Sequence, residues 1–508
     1  MENSTTRQTP AVTFFGRSRL FLFLSLAGVF TLGLGVRLIE LTDPPLDAAY
    51  RQLNSAIIAR GMYYQMLTSA DPALRQIAIS LWHSADAFEP PIFERLVAAT
   101  YLLTGGERIW IPRLFSILFW IVGGVALYLL ARRMTSVDGG IATLAFYMVL
   151  PFGVYISRRF QPDPFMVMWI LWAALALYEW EEKRSWKAAI IAGLVCGIAV
   201  LVKIFAVFFI AAMAVAMVLY SGRLKQALRN LQIWAMAVIM IAIPFIYYIL
   251  GIGSRSLGYF EFWNLSFAHL LLTPAFYVGW LNLIDSNVGL IVTFIGLAGI
   301  LILPPKGRAL MISLWVGYVL FGFAYPWQIH THDYYSLILV PLVALSLSPV
   351  AAIFFSKLIQ QNKIWQFMFI GVVLLTLAYP AWTARVTLVA HESRINWRAW
   401  QKIGQAIPKE GNIIGLTNDY GVEVAYFGWR KIGTWPTAAD YSLTYARGGN
   451  TETNLEKYFH QMTQGMDYFL VTLFGELDSQ HQLKHMLYDN YPIYAQGDGY
   501  IIFDLRKK

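Results

Sequence analysis

Apolar residues fill the first three quarters of this chain in runs long enough to cross a bilayer, separated by short polar connections. About 20 apolar residues make one helical span. Eleven windows meet that length, near 20–39, 110–130, 140–157, 164–179, 186–202, 204–220, 231–250, 288–303, 309–325, 335–356 and 365–386. The first is expected to be a retained anchor, since no small-residue cleavage site follows it. From about 392 the texture changes. Charged and amide residues rise, and short alternating runs appear: NIIGLTN, MDYFLVTL and GYIIFDLR read as strands, LEKYFHQMTQ and QHQLKHMLYDN as helices. The expected fold is therefore an α-helical polytopic membrane protein over 1–391, followed by a soluble extracytoplasmic α/β domain over 392–508.

Composition points the same way: 57% of the 508 residues are hydrophobic and only 14% charged, more apolar surface than a soluble domain can bury. Orientation follows from Lys and Arg. Alternate connections carry Arg17 and Arg19, Arg132 and Arg133, Lys183 and Arg184, Arg223, Lys225 and Arg229, Lys306 and Arg308, and Lys357 and Lys363. Those are expected in the cytoplasm, as is the N-terminus. Loops 40–109, 251–287 and 326–334, the short turn after 157, and everything beyond 387 then face outward. The net charge of +9 is thus mostly topological and implies no nucleic-acid partner. Cys196 is the single cysteine and falls inside a span, which excludes disulfides and thiolate metal sites.

The polar chemistry gathers at the outer ends of the spans. In Leu41–Arg60, Asp43 before Pro44 and Pro45 reads as a helix start with Asp47 in the first turn. Leu46, Tyr50, Leu53 and Ile57 make one apolar face; Asp47, Arg51 and Asn54 make the adjoining polar line. Such a helix lies flat on a bilayer. It would hold a carboxylate, a guanidinium and an amide at headgroup depth, where a lipid-linked substrate presents its polar end. Further outward segments are EPP at Glu89–Pro91, RRFQPDP at Arg158–Pro164, and HDYY at His332–Tyr335 followed by Pro341.

This ordered set, beginning with PPLD, then RQ and an Ala-Arg, resembles the GT-C membrane glycosyltransferases. It is most similar to family 39 and its bacterial relatives, which include protein O-mannosyltransferases and the aminoarabinose transferase of lipid A. The resemblance covers roughly the first 340 residues. It implies a catalytic base at Asp47, an acidic residue beside the active site at Asp163, and a lysine near the donor phosphate at Lys203. It also implies a polyprenyl-phosphate sugar donor and a lipid, glycan or protein acceptor. A lipid-borne donor needs no nucleotide sugar, consistent with the absence of a Rossmann fingerprint.

Each candidate has a plainer alternative. Glu89 is either a substrate-binding carboxylate or a helix cap. Arg158 and Arg159 depart from the positive-inside bias; a phosphate gripped by arginine forks would explain them, as would pairing with Asp163 or with membrane lipid headgroups. Asp163 could cap the helix it opens, and Lys203 could snorkel. In 251–287, Arg255, Glu261, His269, Trp263, Phe267, Tyr277 and Trp280 suit an interfacial helix better than sugar or polyprenyl contacts. His330, His332 and Asp333 could ligate a divalent metal only with help from Asp47 or Asp163; otherwise the histidines and Tyr334 or Tyr335 donate hydrogen bonds to the donor phosphate. No cofactor is assigned. Gly421, Gly428 and the GGN at 448–450 mark turns, and the C-terminal domain carries no catalytic constellation. A transporter or lipid flippase, the rival from another class, would place its charges near the bilayer midplane with broken helices.

Overall fold

The computed structural model describes residues 13–45, 47, 49–87, 89–220, 222, 224–251, 261–390, 393–449 and 454–507. Leu46, Arg223 and Arg255 lie outside the described residues. In chain order the helices that frame the polar chemistry are α1 (Arg19–Arg37), α2 (Ala49–Met66), α3 (Pro72–Ser84), α4 (Ile92–Thr104), α5 (Trp110–Met134), α6 (Val137–Val149), α7 (Pro151–Ile156), α8 (Asp163–Lys183), α9 (Trp186–Val202) and α10 (Ala206–Tyr220). All eleven apolar windows contain helix. Among the described residues, six helices are long and apolar enough to cross a membrane. A seventh span results if Glu261–Leu272 and Pro274–Asn287, bent by 104°, count as one.

Other windows hold shorter apolar helices, such as Val137–Val149, Trp186–Val202, Ala206–Tyr220 and Leu290–Ile300, and local chemistry explains two of the breaks. Leu150, ahead of Pro151, is extended at ψ 124°, because a proline crowds the residue before it out of the helical region; one window becomes α6 and α7. Lys203 is extended as well, at φ −155° and ψ 122°, and this separates α9 from α10.

Two compact units emerge. The first comprises 1–39, 115–158 and 162–389. Its core runs through α5, α6, α8, α9 and α10. Trp120 and Tyr147 stack at 4.0 Å between centroids, and each ring donates to the other residue's carbonyl, at 3.3 and 3.0 Å. Gly193 and Gly197, one turn apart on α9, let the backbone of Leu231–Phe245 come close: a Cβ on Gly197 would sit 2.9 Å from Ile243 Cδ1 and 3.2 Å from Ile239 O. That is small-residue packing of the kind membrane helices use in place of a hydrophobic drive.

The second unit comprises 40–114, 159–161 and 390–508. Its sheet has the order β2-β1-β3-β5-β4, with β1 (Ile413–Leu416), β2 (Gly433–Thr434), β3 (Tyr468–Val471), β4 (Ile493–Gly497) and β5 (Tyr500–Asp504). β1 is parallel to β2 and β3, and β5 is antiparallel to β3 and β4. Side chains alternate between two apolar layers: Ile414, Phe469 and Phe503 enter one, Ile413, Leu470 and Ile502 the other. The three runs read as strands are β1, β3 and β5. β2 and β4 went unread, β2 for its two-residue length and β4 for its mostly exposed side chains.

By contacts the segment from 390 onward groups with 40–114 and 159–161. One expectation changes here. α2 begins at Ala49, not at Pro44: Arg113 Nη1 donates to Leu41 O at 2.8 Å and Asp43 O at 2.5 Å, so those carbonyls serve a side chain and the prolines sit in an irregular lead-in. Nor is α2 one-sided. Gln52 through Tyr63 are all buried, which makes it a core helix of this unit.

Candidate functional site

Asp47 sits in the lead-in to α2, held from two directions. Arg159 Nε donates to its Oδ2 at 3.0 Å, with the Arg159 side chain 5% and the Asp47 side chain 15% exposed. Gln52, on the first turn of α2, donates from Nε2 to Asp47 O at 2.6 Å and Oδ1 at 3.3 Å. Its Oε1 accepts from Phe160 N–H at 3.2 Å. One amide thus ties the acidic residue to the 159–161 turn. Phe160 also packs edge-on to Phe93 of α4, 4.9 Å between centroids. Asp47 and Arg159, 112 residues apart, meet here, a pairing that was not among the partners weighed for Arg159 in the sequence.

The next polar layer along α2 is a carboxylate pair with distinct partners. Arg51 Nη2 donates to both Glu89 oxygens, at 2.9 and 3.1 Å, and the N-cap position of α4 is Pro91, not Glu89. One turn further, Ser55 Oγ donates to Glu94 Oε1 at 2.8 Å inside the unit. Burial pushes the Glu94 carboxyl up to about 7, outweighing the serine hydrogen bond that lowers it.

The first unit holds a second ion pair. Lys203 Nζ donates to Asp163 Oδ1 at 2.9 Å, and the side chains are 1% and 2% exposed. Lys203 does not snorkel, and Asp163 does not cap α8: its Oδ2 is buried with no hydrogen-bond partner among the described residues. Such an oxygen is costly to leave unmet. The extended backbone of Lys203 is what lets its side chain turn inward. Phe205, Tyr335 and Tyr334 lie around the ammonium, with ring centres at 5.1, 5.4 and 5.9 Å, so the aromatic pair from HDYY joins this pair directly. His332 lies edge-on to both tyrosines, at 5.7 and 6.0 Å, and its Nδ1 is 2.7 Å from Thr331 Oγ1. His330 turns away, its Nδ1 2.5 Å from Pro326 O. Arg158 donates to the carbonyl of Ile39. Among the described residues no three His, Cys, Asp or Glu side chains group as a metal centre. Trp263 and Phe267 of the bent pair stack in series with Trp327 of Pro326–Thr331.

Three functional-looking residues carried no role in the sequence reading. Arg37, at the end of α1, is fully buried and donates to Ser157 Oγ at 2.8 Å, Gly33 O at 2.9 Å and Met148 O at 2.7 Å. Gln161 is fully buried with neither end of its amide partnered among the described residues. Gln52 is the third. An arginine closing an apolar window was a readable signal; the two glutamines lay inside the RQ and RRFQPDP motifs without a role of their own.

Comparison with known proteins fits this geometry. Residues 88–248 match the dolichyl-phosphate-mannose-protein mannosyltransferase family. Over 156 residues the chain is 27% identical to the lipid A galacturonosyltransferase RgtD of Rhizobium johnstonii, a match spanning 31% of this chain and 33% of that protein. The structure of ArnT from Cupriavidus metallidurans bound to undecaprenyl phosphate superposes with a TM-score of 0.55 at 13% identity, over 96% of this chain and 98% of that one. The archaeal oligosaccharyltransferase AglB from Archaeoglobus fulgidus, in complex with an inhibitory peptide and a dolichol-phosphate, gives 0.59 at 12% identity, over 97% and 74%. The fold is that of the GT-C membrane glycosyltransferases, and the protein is a multi-pass membrane protein.

Proposed function

We propose that this GT-C protein transfers a sugar from a polyprenyl-phosphate donor to an acceptor hydroxyl on the outer side of the membrane. The observation that carries the reading is Asp47: a partly exposed carboxylate fixed by Arg159 and Gln52. A general base needs a set position before substrate arrives. In the reaction the Asp47 carboxylate takes the proton of the acceptor hydroxyl as its oxygen bonds to the anomeric carbon. The bond from that carbon to the phosphate oxygen breaks, and the polyprenyl phosphate departs with the electron pair. Lys203 supplies positive charge for that phosphate, oriented by Asp163, with Tyr334 and Tyr335 bounding the ammonium and His332 beside them. Arg158 and Arg159 are further cations for the phosphate; Arg51 and Glu89 orient the acceptor. The family match, the galacturonosyltransferase relative and the polyprenyl phosphates in the ArnT and AglB structures support this donor class.

Asp47→Asn tests it. The amide keeps shape and loses basicity, so transfer from a polyprenyl-phosphate sugar should fall by about a hundredfold or more while undecaprenyl phosphate still binds. Activity near wild type would remove Asp47 from the role of base.

A further inference from the structure

β1 runs into Thr417, Asn418, Asp419, Tyr420 and Gly421, and the last three adopt positive φ in succession, 40°, 59° and 75°. The turn pushes Tyr420 outward, 48% exposed. Its ring meets Tyr50 of α2 edge-to-face, 5.3 Å between centroids. Both hydroxyls are held by aspartates: Tyr50 donates to Asp86, and Tyr420 to Asp440 Oδ1 at 3.0 Å. Asp440 is itself locked by a capping box with Thr437. The two rings are therefore a preset aromatic surface. The same turn and the helix turn after it carry two buried polar groups with no hydrogen-bond partner among the described residues. Glu423 is 5% exposed and its Oε2 is unmet; Thr417 is 4% exposed and its Oγ1 is unmet. Thr417 Oγ1 faces the turn, since a Cβ on Gly421 would lie 3.2 Å from it, and Glu423 follows Gly421 by two residues in the helix that leaves the turn.

We propose that Tyr50, Tyr420, Thr417 and Glu423 form a subsite for a saccharide acceptor. The inference rests on the glycosyl-transfer reading above and gives its acceptor a chemical class. A sugar ring offers an apolar C–H face for an aromatic surface and hydroxyls for groups that lack partners. Burial pushes the Glu423 carboxyl up to about 8, so at neutral pH it is mostly protonated and both donates and accepts, as a hydroxyl partner must. A cation fits poorly, because the acidic side chains here do not converge as a metal group among the described residues. A basic peptide fits poorly too, with Glu423 neutral and Asp440 committed to Tyr420 and Thr437.

Calorimetry on the full chain in detergent decides it, using a panel of deacylated envelope saccharides that includes the lipid A disaccharide, a serine- and threonine-rich peptide, and undecaprenyl phosphate. Tyr420→Ala should weaken saccharide binding about tenfold, the scale of one aromatic contact, and leave undecaprenyl phosphate affinity unchanged. Tyr420→Phe, which keeps the ring, should stay within about twofold of wild type. Saccharide affinity unchanged in Tyr420→Ala, an equal fall for undecaprenyl phosphate, or binding of the peptide in place of every saccharide would each overturn the subsite. A wild-type chain that binds undecaprenyl phosphate and no saccharide overturns the subsite alone. A wild-type chain that binds no undecaprenyl phosphate overturns the donor reading beneath it.

Discussion

Replacing Lys203 by Met should destabilise the protein by about 3–5 kcal/mol, because it strands a buried carboxylate. The magnitude follows from the pair itself. Asp163 Oδ1 has Lys203 Nζ at 2.9 Å, Oδ2 has no partner among the described residues, and neither side chain is more than 2% exposed. Water cannot replace the ammonium without opening the core. Asp163→Leu removes the other half of the pair and should also destabilise the protein. The double variant removes both charges and fills the space with apolar atoms, so it should regain most of the loss; the coupling, read from a double-mutant cycle, should reach several kcal/mol. Denaturant unfolding of the purified protein in detergent supplies the four stabilities, and sugar transfer supplies the second readout. Stability should return in the double variant and activity should not, since the phosphate loses its cation in either case. Single variants within about 1 kcal/mol of wild type, well under the range for a broken buried pair, would refute the buried-pair reasoning. Recovered transfer in the double variant would refute the assignment of Lys203 to the donor.

Glu94 predicts a pH dependence. Its folded value, about 7, lies above the ordinary 4.5, so the folded state binds the extra proton between those limits. Its contribution to stability is complete below about 4.5 and is lost as pH rises through about 7; Glu94→Gln should flatten that part of the stability-against-pH curve, and an unchanged slope would show that Glu94 is not its source. The outward placement of Asp47 is checked by cysteines at Ser84 and Ser136 in a Cys196→Ala background. An impermeant thiol reagent on intact cells should label the first and spare the second, while a permeant one reaches both; the reverse pattern would invert the topology.

The sequence made the helices legible because length and hydropathy are enough to identify an apolar helix. The turn at Lys203 between the windows 186–202 and 204–220 was legible as well, whereas the break at Pro151 that divides the window 140–157 was not. The acidic positions Asp47 and Asp163 were legible from motif order, whereas their partners were not. That Lys203 reaches Asp163, and that Arg159 reaches Asp47, depends on contacts 40 and 112 residues apart, which no local periodicity encodes. The same holds for α2. Its apolar spacing suggested a surface helix, but Gln52, Asn54 and Ser55 are buried as well, each with a specific polar partner: Asp47, Asp86 and Glu94. A helix that buries amides and hydroxyls against matched partners reads as amphipathic until those partners are known.

Arg158 and Arg159 looked anomalous as outward cations, and their partners remove the anomaly. The positive-inside bias concerns charges that must be moved through or held at a membrane surface; both of these are buried, one on the Ile39 carbonyl and the other on Asp47. Asp47 in turn depends on Gln52, and so on the placement of α2. Eight residues beyond Gln52, about 12 Å along the axis, Arg60 lies between the rings of Tyr426 and Trp429 at 4.0 and 4.2 Å. It pairs with Glu107 through Nε at 2.9 Å and Nη2 at 3.1 Å, and donates to Tyr426 O at 2.5 Å. A guanidinium so enclosed has few alternative positions, because every move leaves a buried charge unmet. The C-terminal segment therefore sets the position of α2 through Arg60, and α2 sets the Asp47 carboxylate through Gln52. That gives the C-terminal segment a direct part in where the Asp47 carboxylate stands.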